Sequence, residues 1–363
     1  METMQCKAEP QALFDKVQWI DPVDGSKLEA VVLARNPSGV PIAGALRRPG
    51  TNVGYPIVDS VVRLTPELAH RYQDWLKVMN LEPPKIDNSV NFQNESTVDS
   101  FGFQWTWNSE MRNENDLKWR VASRFQVEPD SFKNRLVMDA GAGAGDQSSW
   151  LMKEGASVVS VDLSAAIEVV SRKLRKHSNW VGVQADITKL PFAANQFECV
   201  YCEGVIQHTH DSFETVKELT RVTEINGRIL ATHYGKSVRL LGRLKSRFMG
   251  YLRIKLSKWD RYKLLLFTGI VAALSYIPLF GRLLRVTGIA IYYPMMSDFK
   301  TTWTNTFDNY GNHSFQRYAS PEEFWGYFQA TDCCEKEFSE VTVLRVRKTK
   351  DMDLKNTTIS RAA

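Results

Sequence analysis

The sequence predicts an α/β fold: a doubly wound, mostly parallel sheet with a small β-rich N-terminal domain and a helical insertion. Three observations carry that expectation. Between residues 136 and 232 short apolar runs alternate with helical stretches, the pattern that puts helices on both faces of a parallel sheet. A glycine-rich turn follows the first of those runs. Further on, a basic segment and then an uncharged apolar one interrupt the chain before its last strands.

The 363 residues suffice for one large domain with appendages, or for two domains. A hydrophobic fraction of 43% and a charged fraction of 24% are those of a globular chain and exclude global disorder. Cys6, Cys199, Cys202, Cys333 and Cys334 are too few and too scattered for a disulfide framework, which fits a reducing compartment. The first residues, Met1 to Gln11, are polar and lack the apolar core of a signal peptide, so a cytoplasmic protein is expected.

Residues 15–65 read as a small β domain, with turn signals at Asp24-Gly25, Ser38-Gly39 and Pro49-Gly50. Residues 66–130 read as a helical linker and cap. Residues 131–350 form the main domain, interrupted at 236–300, and 351–363 read as a disordered tail. The expected strands are Leu136–Ala140, Ser157–Asp162, Trp180–Gln184, Cys199–Cys202 and Arg228–Thr232, then a closing pair at Glu335–Ser339 and Val341–Arg347.

The run Leu136-Val137-Met138-Asp139-Ala140-Gly141-Ala142-Gly143-Ala144-Gly145 is a buried strand feeding a turn, with a helix from about Gln147. Glycines let the backbone fold sharply and approach a ligand, and the helix N-terminus offers free N–H groups. The spacing is G-x-G-x-G; a dinucleotide fingerprint needs glycine at 146, where Asp146 is a poor neighbour for a pyrophosphate. Carboxylates suit a ligand that carries ammonium and sulfonium charge.

This stretch resembles motif I of class I S-adenosylmethionine-dependent methyltransferases, and later segments follow in the family's order. The resemblance implies a seven-stranded Rossmann-like sheet and S-adenosyl-L-methionine as cofactor. Asp162, ending Val158-Val159-Ser160-Val161-Asp162, would take the two ribose hydroxyls, beside Leu163. Asp186, after Val183-Gln184-Ala185, would take the adenine amino group while Ile187 packs on the ring. Phe197–Tyr201 and Val205-Ile206-Gln207-His208-Thr209 resemble the fourth strand and its loop, and Asn226-Gly227-Arg228-Ile229-Leu230 the turn into the fifth. The expected cofactor-binding set is therefore Asp139, Gly141, Ala142, Gly143, Gly145, Asp162, Leu163, Asp186, Ile187, Glu203 and Gln207.

Methyl transfer is an in-line displacement, accelerated by alignment and by a base only where the nucleophile must lose a proton. His208 lies where acceptor and methyl should meet and is the candidate base, with Glu203 and His210 behind it; a purely structural histidine is the competing reading. The loop Cys202-Glu203-Gly204-Val205 lacks the Pro-Pro-aromatic signature of amino-methylating nucleic-acid enzymes, and no Pro-Cys nucleophile of the cytosine C5 type is present. No metal is expected: Cys199 and Cys202, three apart on a strand, face opposite ways.

Asp21–Gly25 and Tyr55–Asp59 resemble the small zinc-ribbon-like domain that precedes some of these enzymes, with Asp21, Asp24, Arg48 and Thr51 at the positions where that domain has paired cysteines. That set lacks zinc ligands, which implies a degenerate, metal-free version. Ser100-Phe101-Gly102-Phe103-Gln104-Trp105 resembles the family segment that helps cover the cofactor.

Between Lys236 and Lys263 stand ten basic residues and one acid, Asp260, a local +9 against +5 for the whole chain. Leu264–Gly281 then carries no charge, but Gly269, Ser275, Pro278 and Gly281 interrupt it, which argues against a bilayer span. Two compatible readings remain: a lid on the acceptor pocket, or a segment lying on an anionic membrane surface through 236–293. The apolar run argues against nucleic acid as partner. Tyr310 and His313 are candidate contacts to a small-molecule or lipid-linked substrate. Ser320-Pro321-Glu322-Glu323 reads as a capping box opening a helix. The alternatives are a non-catalytic S-adenosylmethionine-binding adaptor and a nicotinamide-dependent oxidoreductase, the latter disfavoured by Asp146.

Overall fold

In the computed structural model, residues 12–86, 95–107, 113–236, 240–292, 298–311 and 315–353 are described, apart from the side chains of 95–98 and 240–246. The chain runs β1 (Glu29–Arg35), β2 (Pro41–Arg47), β3 (Gly54–Val58), β4 (Val61–Arg63), α1 (Pro66–Arg71), α2 (Gln73–Val78), α3 (Glu95–Trp107) and α4 (Glu114–Val121). The central α/β part follows as β5 (Leu136–Ala140), α5 (Asp146–Lys153), β6 (Ser157–Val161), α6 (Ala166–Leu174), β7 (Trp180–Gln184), β8 (Phe197–Cys202), α7 (Ser212–Val222) and β9 (Thr223–Thr232). The insertion contributes α8 (Leu240–Leu256), α9 (Arg261–Leu274), α10 (Phe280–Thr287) and α11 (Phe299–Tyr310); α12 (Pro321–Gln329), β10 (Cys334–Glu340) and β11 (Val343–Lys348) close the chain. The capping box at Ser320 and Glu323 forms in both directions.

The strand order is β1-β2-β3-β4-β7-β6-β5-β8-β9-β11-β10. From β7 to β9 all neighbours are parallel, and β11 enters antiparallel between β9 and β10. The seven expected strands, β5 to β11, are present, and the four N-terminal strands continue the same sheet, giving eleven among the described residues. The N-terminal strands form an antiparallel meander whose last member, β4, pairs parallel with β7, so they extend the main sheet. Val61 and Val62 on β4 are fully buried, and the edge of β7 would otherwise present unpaired N–H and C=O groups. Trp19 packs on Phe192 with ring centroids 5.6 Å apart, tying the N-terminal segment into the same core.

Successive residues of the parallel strands enter opposite cores. Met138, Val159 and Cys202 join one cluster; Val137, Val158 and Cys199 join the other. Burial on both faces explains why these strands read as continuous apolar runs, and it separates the thiols of Cys199 and Cys202.

Three of the four residues aligned with zinc-holding positions, Asp21, Asp24 and Arg48, meet through their side chains. The Arg48 guanidinium lies 2.6 Å from Asp21 and 3.2 Å from Asp24, and the Tyr55 hydroxyl donates to Asp21 at 2.8 Å. Burial and the Asp21 carboxylate push the Tyr55 hydroxyl far above its ordinary range, so it stays a donor. An ionic clasp joins the two turns.

The insertion packs on α3 through Trp107 against Trp303, 4.8 Å between rings, and Phe103 against Phe307, 6.0 Å. Among the described residues no helix is long and apolar enough to cross a membrane. Residues 354–363, the greater part of the expected tail, lie outside the described residues, as does Cys6.

Candidate active site

The site opens at the carboxyl ends of β5, β6, β7 and β8. Gly141 follows β5, Asp162 and Leu163 follow β6, Asp186 and Ile187 follow β7, and Glu203 to Val205 follow β8; all line one cavity, with His208 and Thr209 at its far side. Phe101 and Trp105 of α3 cover it.

The turn needs its glycines. Gly141, Gly143 and Gly145 have φ of 86°, 52° and 82°. A Cβ at 141 would stand 2.2 Å from Val205, and one at 143 would press on the Trp105 indole at 3.1 Å. Ala142, 2% exposed, completes the turn, and Gly145 heads α5 with a Cβ position 2.9 Å from Val170.

Asp162 joins the turn to the next strand. One oxygen accepts the Gly143 N–H at 2.9 Å; the other accepts the Ser164 N–H at 2.8 Å and its hydroxyl at 2.7 Å. Burial raises its pKa, and the bonds from Ser164 and Gly143 oppose that rise. Asp186 accepts the Thr188 N–H and hydroxyl on one oxygen, both at 2.8 Å, leaving the second without a hydrogen-bond partner among the described residues. Glu203 accepts from Arg120 at 2.9 Å and from Arg124, and its other oxygen takes the Tyr201 hydroxyl at 2.7 Å and Gln147 at 3.1 Å. So heavily paired a carboxylate is an anchor for α4 rather than a free base.

His208 stands where this cavity meets a second, larger one. Its Nδ1 lies 2.9 Å from the Phe315 carbonyl. A carbonyl only accepts, so Nδ1 carries the proton and Nε2 is left as the acceptor, 3.5 Å from the Tyr234 hydroxyl. His210 is exposed and lines neither cavity.

Three expected site residues stand away from the cavity walls. Asp139 does not reach the cavity: it is 2% exposed and accepts the Ser148 hydroxyl of α5 at 2.6 Å. Met138 and Asp139 point to opposite faces, and the face that Asp139 takes is covered by α5. Gln207 is fully buried behind the loop rather than in the cavity wall. Tyr310 is fully buried in the core of the insertion, its hydroxyl donating to the Ile289 carbonyl at 3.2 Å, and it lines no cavity. His313 lies outside the described residues. Arg120, Arg124, His233 and Tyr234, which sequence reasoning missed, line the second cavity; the i, i+4 spacing of the two arginines beside Trp119 was the available signal.

Burial raises the Asp139 pKa from 3.8 to about 7, against the opposing Ser148 bond. Between about pH 4 and 7 the folded protein holds a proton that the unfolded chain has released, so stability from this group is greatest at low pH and is lost as pH rises through 7. Asp139→Asn is therefore expected to raise unfolding free energy at pH 8, by up to roughly 4 kcal/mol, and to leave it unchanged near pH 4. Urea melts at the two pH values read the difference; an equal effect at both would refute the assignment.

The order β7-β6-β5-β8-β9 followed by a reversed strand pair, with acids at successive strand ends, is the arrangement that the resemblance to class I S-adenosylmethionine-dependent methyltransferases implies. Residues 138–231 match the family described as "Methyltransferase domain". The chain is similar to the demethylmenaquinone methyltransferase of Thermobifida fusca (strain YX), 31% identical over 119 residues, 32% of this chain and 50% of that one. It is similar to the ubiquinone/menaquinone biosynthesis C-methyltransferase UbiE of Haemophilus ducreyi, 30% identical over 127 residues, 33% of this chain and 49% of that one. To the malonyl-[acyl-carrier protein] O-methyltransferase of Legionella pneumophila it is 33% identical over 104 residues, 28% and 37% of the two chains. The chain thus spans about half the length of the first two relatives and less of the third. The family match ends before the insertion and begins after α3 and α4, the elements that cover the site.

Proposed function

We propose that the protein transfers a methyl group from S-adenosylmethionine to a small-molecule or lipid-linked acceptor at an anionic membrane surface. The observation that carries the cofactor half is the ring of Asp162, Asp186 and Glu203 around one cavity. The charges of Asp162 and Asp186, unlike that of Glu203, are not neutralised by an arginine among the described residues, and they repel a phosphate and suit a sulfonium nucleoside. In this reading Asp162 holds the ribose hydroxyls, the unpartnered oxygen of Asp186 takes the adenine amino group, and Leu163 and Ile187 flank the ring. The bound cofactor supplies an electrophilic methyl. His208 Nε2, held as an acceptor by the Phe315 carbonyl, takes the proton of an acceptor hydroxyl. Transfer of label from methyl-labelled S-adenosylmethionine into cell extract tests the activity; nucleoside binding without transfer would favour an adaptor. The N-terminal strands are read as a metal-free relative of a zinc ribbon, with Asp21 and Arg48 where ligands would stand.

The membrane half rests on exposed apolar surface. Of twenty-one exposed large apolar residues among those described, thirteen fall between Phe248 and Val286. Tyr276, Ile277, Pro278, Leu279 and Phe280 are all exposed at the α9–α10 turn, Leu279 at 86%. Exposed Arg247, Lys255, Lys258, Arg261, Lys263 and Arg282 accompany them. An apolar tip with basic neighbours fits the headgroup region of anionic lipid. Flotation with vesicles of phosphatidylcholine and phosphatidylglycerol should recover the protein. Ile277→Asp with Leu279→Asp should cut recovery at least tenfold; undiminished flotation would remove the membrane from the proposal.

A further inference from the structure

The second cavity identifies what kind of acceptor end reaches His208. It shares Phe101, Trp105, Glu203, Gly204 and His208 with the cofactor cavity and is roofed by α11. Its wall carries the side-chain amides of Gln104, Asn305, Asn309 and Gln316 and the rings of Trp119 and Tyr318. Ile291 is the one aliphatic hydrocarbon side chain among its described lining residues. An acyl or isoprenoid chain packs on aliphatic walls, whereas the apolar surface of this chamber is aromatic, from Phe101, Trp105, Trp119, Tyr234 and Tyr318, and is interrupted by amides.

The wall also holds polar atoms that have not found partners. Gln104 is 2% exposed and its Oε1 has none among the described residues; nor have Asn305 Nδ2 and Gln316 Oε1, while Gln316 Nε2 donates to the Tyr318 hydroxyl at 3.0 Å. His233 is 3% exposed, with Nδ1 3.1 Å from the Tyr234 carbonyl, which makes Nε2 an acceptor, and that atom too is unpartnered. Burial lowers the His233 pKa, keeping the ring neutral near pH 7. Unmet buried groups of both kinds are costly until a ligand supplies their complements. Each hydroxyl offers one donor and two acceptor positions, so a polyol answers both kinds at once. A quinone carbonyl only accepts, and would leave Gln104 and His233 unmet.

We propose, on the methyl-transfer reading above, that the acceptor presents a hydroxyl-rich, sugar-like ring to this chamber, held by amides and stacked on aromatic faces. One of its hydroxyls is methylated. The new O–CH3 bond forms as the S–CH3 bond breaks, the sulfonium becomes the thioether of S-adenosylhomocysteine, and the hydroxyl proton passes to His208 Nε2. The apolar hairpin lies on the outside of the same insertion, so a lipid carrying such a head would keep its tail out of the chamber.

Saturation-transfer NMR on the full chain with S-adenosylhomocysteine tests this without turnover. The probes are methyl α-glucopyranoside, methyl α-mannopyranoside and methyl α-rhamnopyranoside, with 4-methoxyphenol and octanoate as flat-ring and acyl comparators. At least one glycoside should respond, and Gln104→Ala with Asn305→Ala should weaken that response fivefold or more while nucleoside affinity stays within twofold. A response from the comparators alone, no response from any probe, or a glycoside signal indifferent to both substitutions overturns the assignment. Failure of S-adenosylhomocysteine to bind in calorimetry would overturn the methyl-transfer reading and this inference together; intact nucleoside binding without a glycoside response overturns this one alone.

Discussion

Asp162→Ala should weaken binding of S-adenosylhomocysteine by about a hundredfold to ten-thousandfold, read by calorimetry. Two charge-assisted bonds to ribose hydroxyls are each worth about 1.5–3 kcal/mol, and a tenfold change in affinity corresponds to about 1.4 kcal/mol. The same carboxylate also accepts the Gly143 N–H and both donors of Ser164, so the alanine variant loosens the glycine turn as well. Asp162→Asn separates the contributions. It keeps an oxygen for the turn but lacks the negative charge, and should fall between wild type and alanine. Wild-type affinity in the alanine variant would mean that the nucleoside sits elsewhere.

The second large effect is at His208. Removing a positioned base lowers rate by about 10²–10⁴-fold. His208→Ala should therefore cut label transfer from S-adenosylmethionine by two orders of magnitude or more, with S-adenosylhomocysteine affinity nearly unchanged. His208→Gln discriminates base from scaffold: its amide can still donate to the Phe315 carbonyl but offers no basic nitrogen. If glutamine restores transfer, the ring only shapes the loop. If it does not, and the acidic limb of the rate profile disappears in both variants, Nε2 accepts the proton.

The central strands were legible because each carries its own local signal, an apolar run ended by a turn. Leu136–Ala140 and Trp180–Gln184 stand where they were expected, and the acids at the ends of β6 and β7 reach the cavity because a strand end fixes its next side chain. The pairing of β4 with β7 was not legible, since it joins residues about 120 positions apart and neither strand encodes its partner. Tyr310 stands away from the chamber for a local reason. On α11 it shares the buried face of Phe307, three residues earlier, whereas Asn305, Asp308 and Asn309 face the chamber. The helical period from Phe299 was the overlooked guide. Arg120, Arg124 and His233 were hidden because they belong to the site only once α4 and the end of β9 have been brought over it.

The seam between β4 and β7 has a consequence for how the molecule is put together. Asp186 follows β7 directly, and β7 takes its outer backbone partners from Val61, Val62 and Arg63. The wall proposed to bind the nucleoside is thus propped from the amino-terminal side. A shortened chain starting after Pro66 would bare a sticky flank next to the residue proposed to grip adenine, and the remaining sheet would be inclined to recruit a neighbour's strand in its stead.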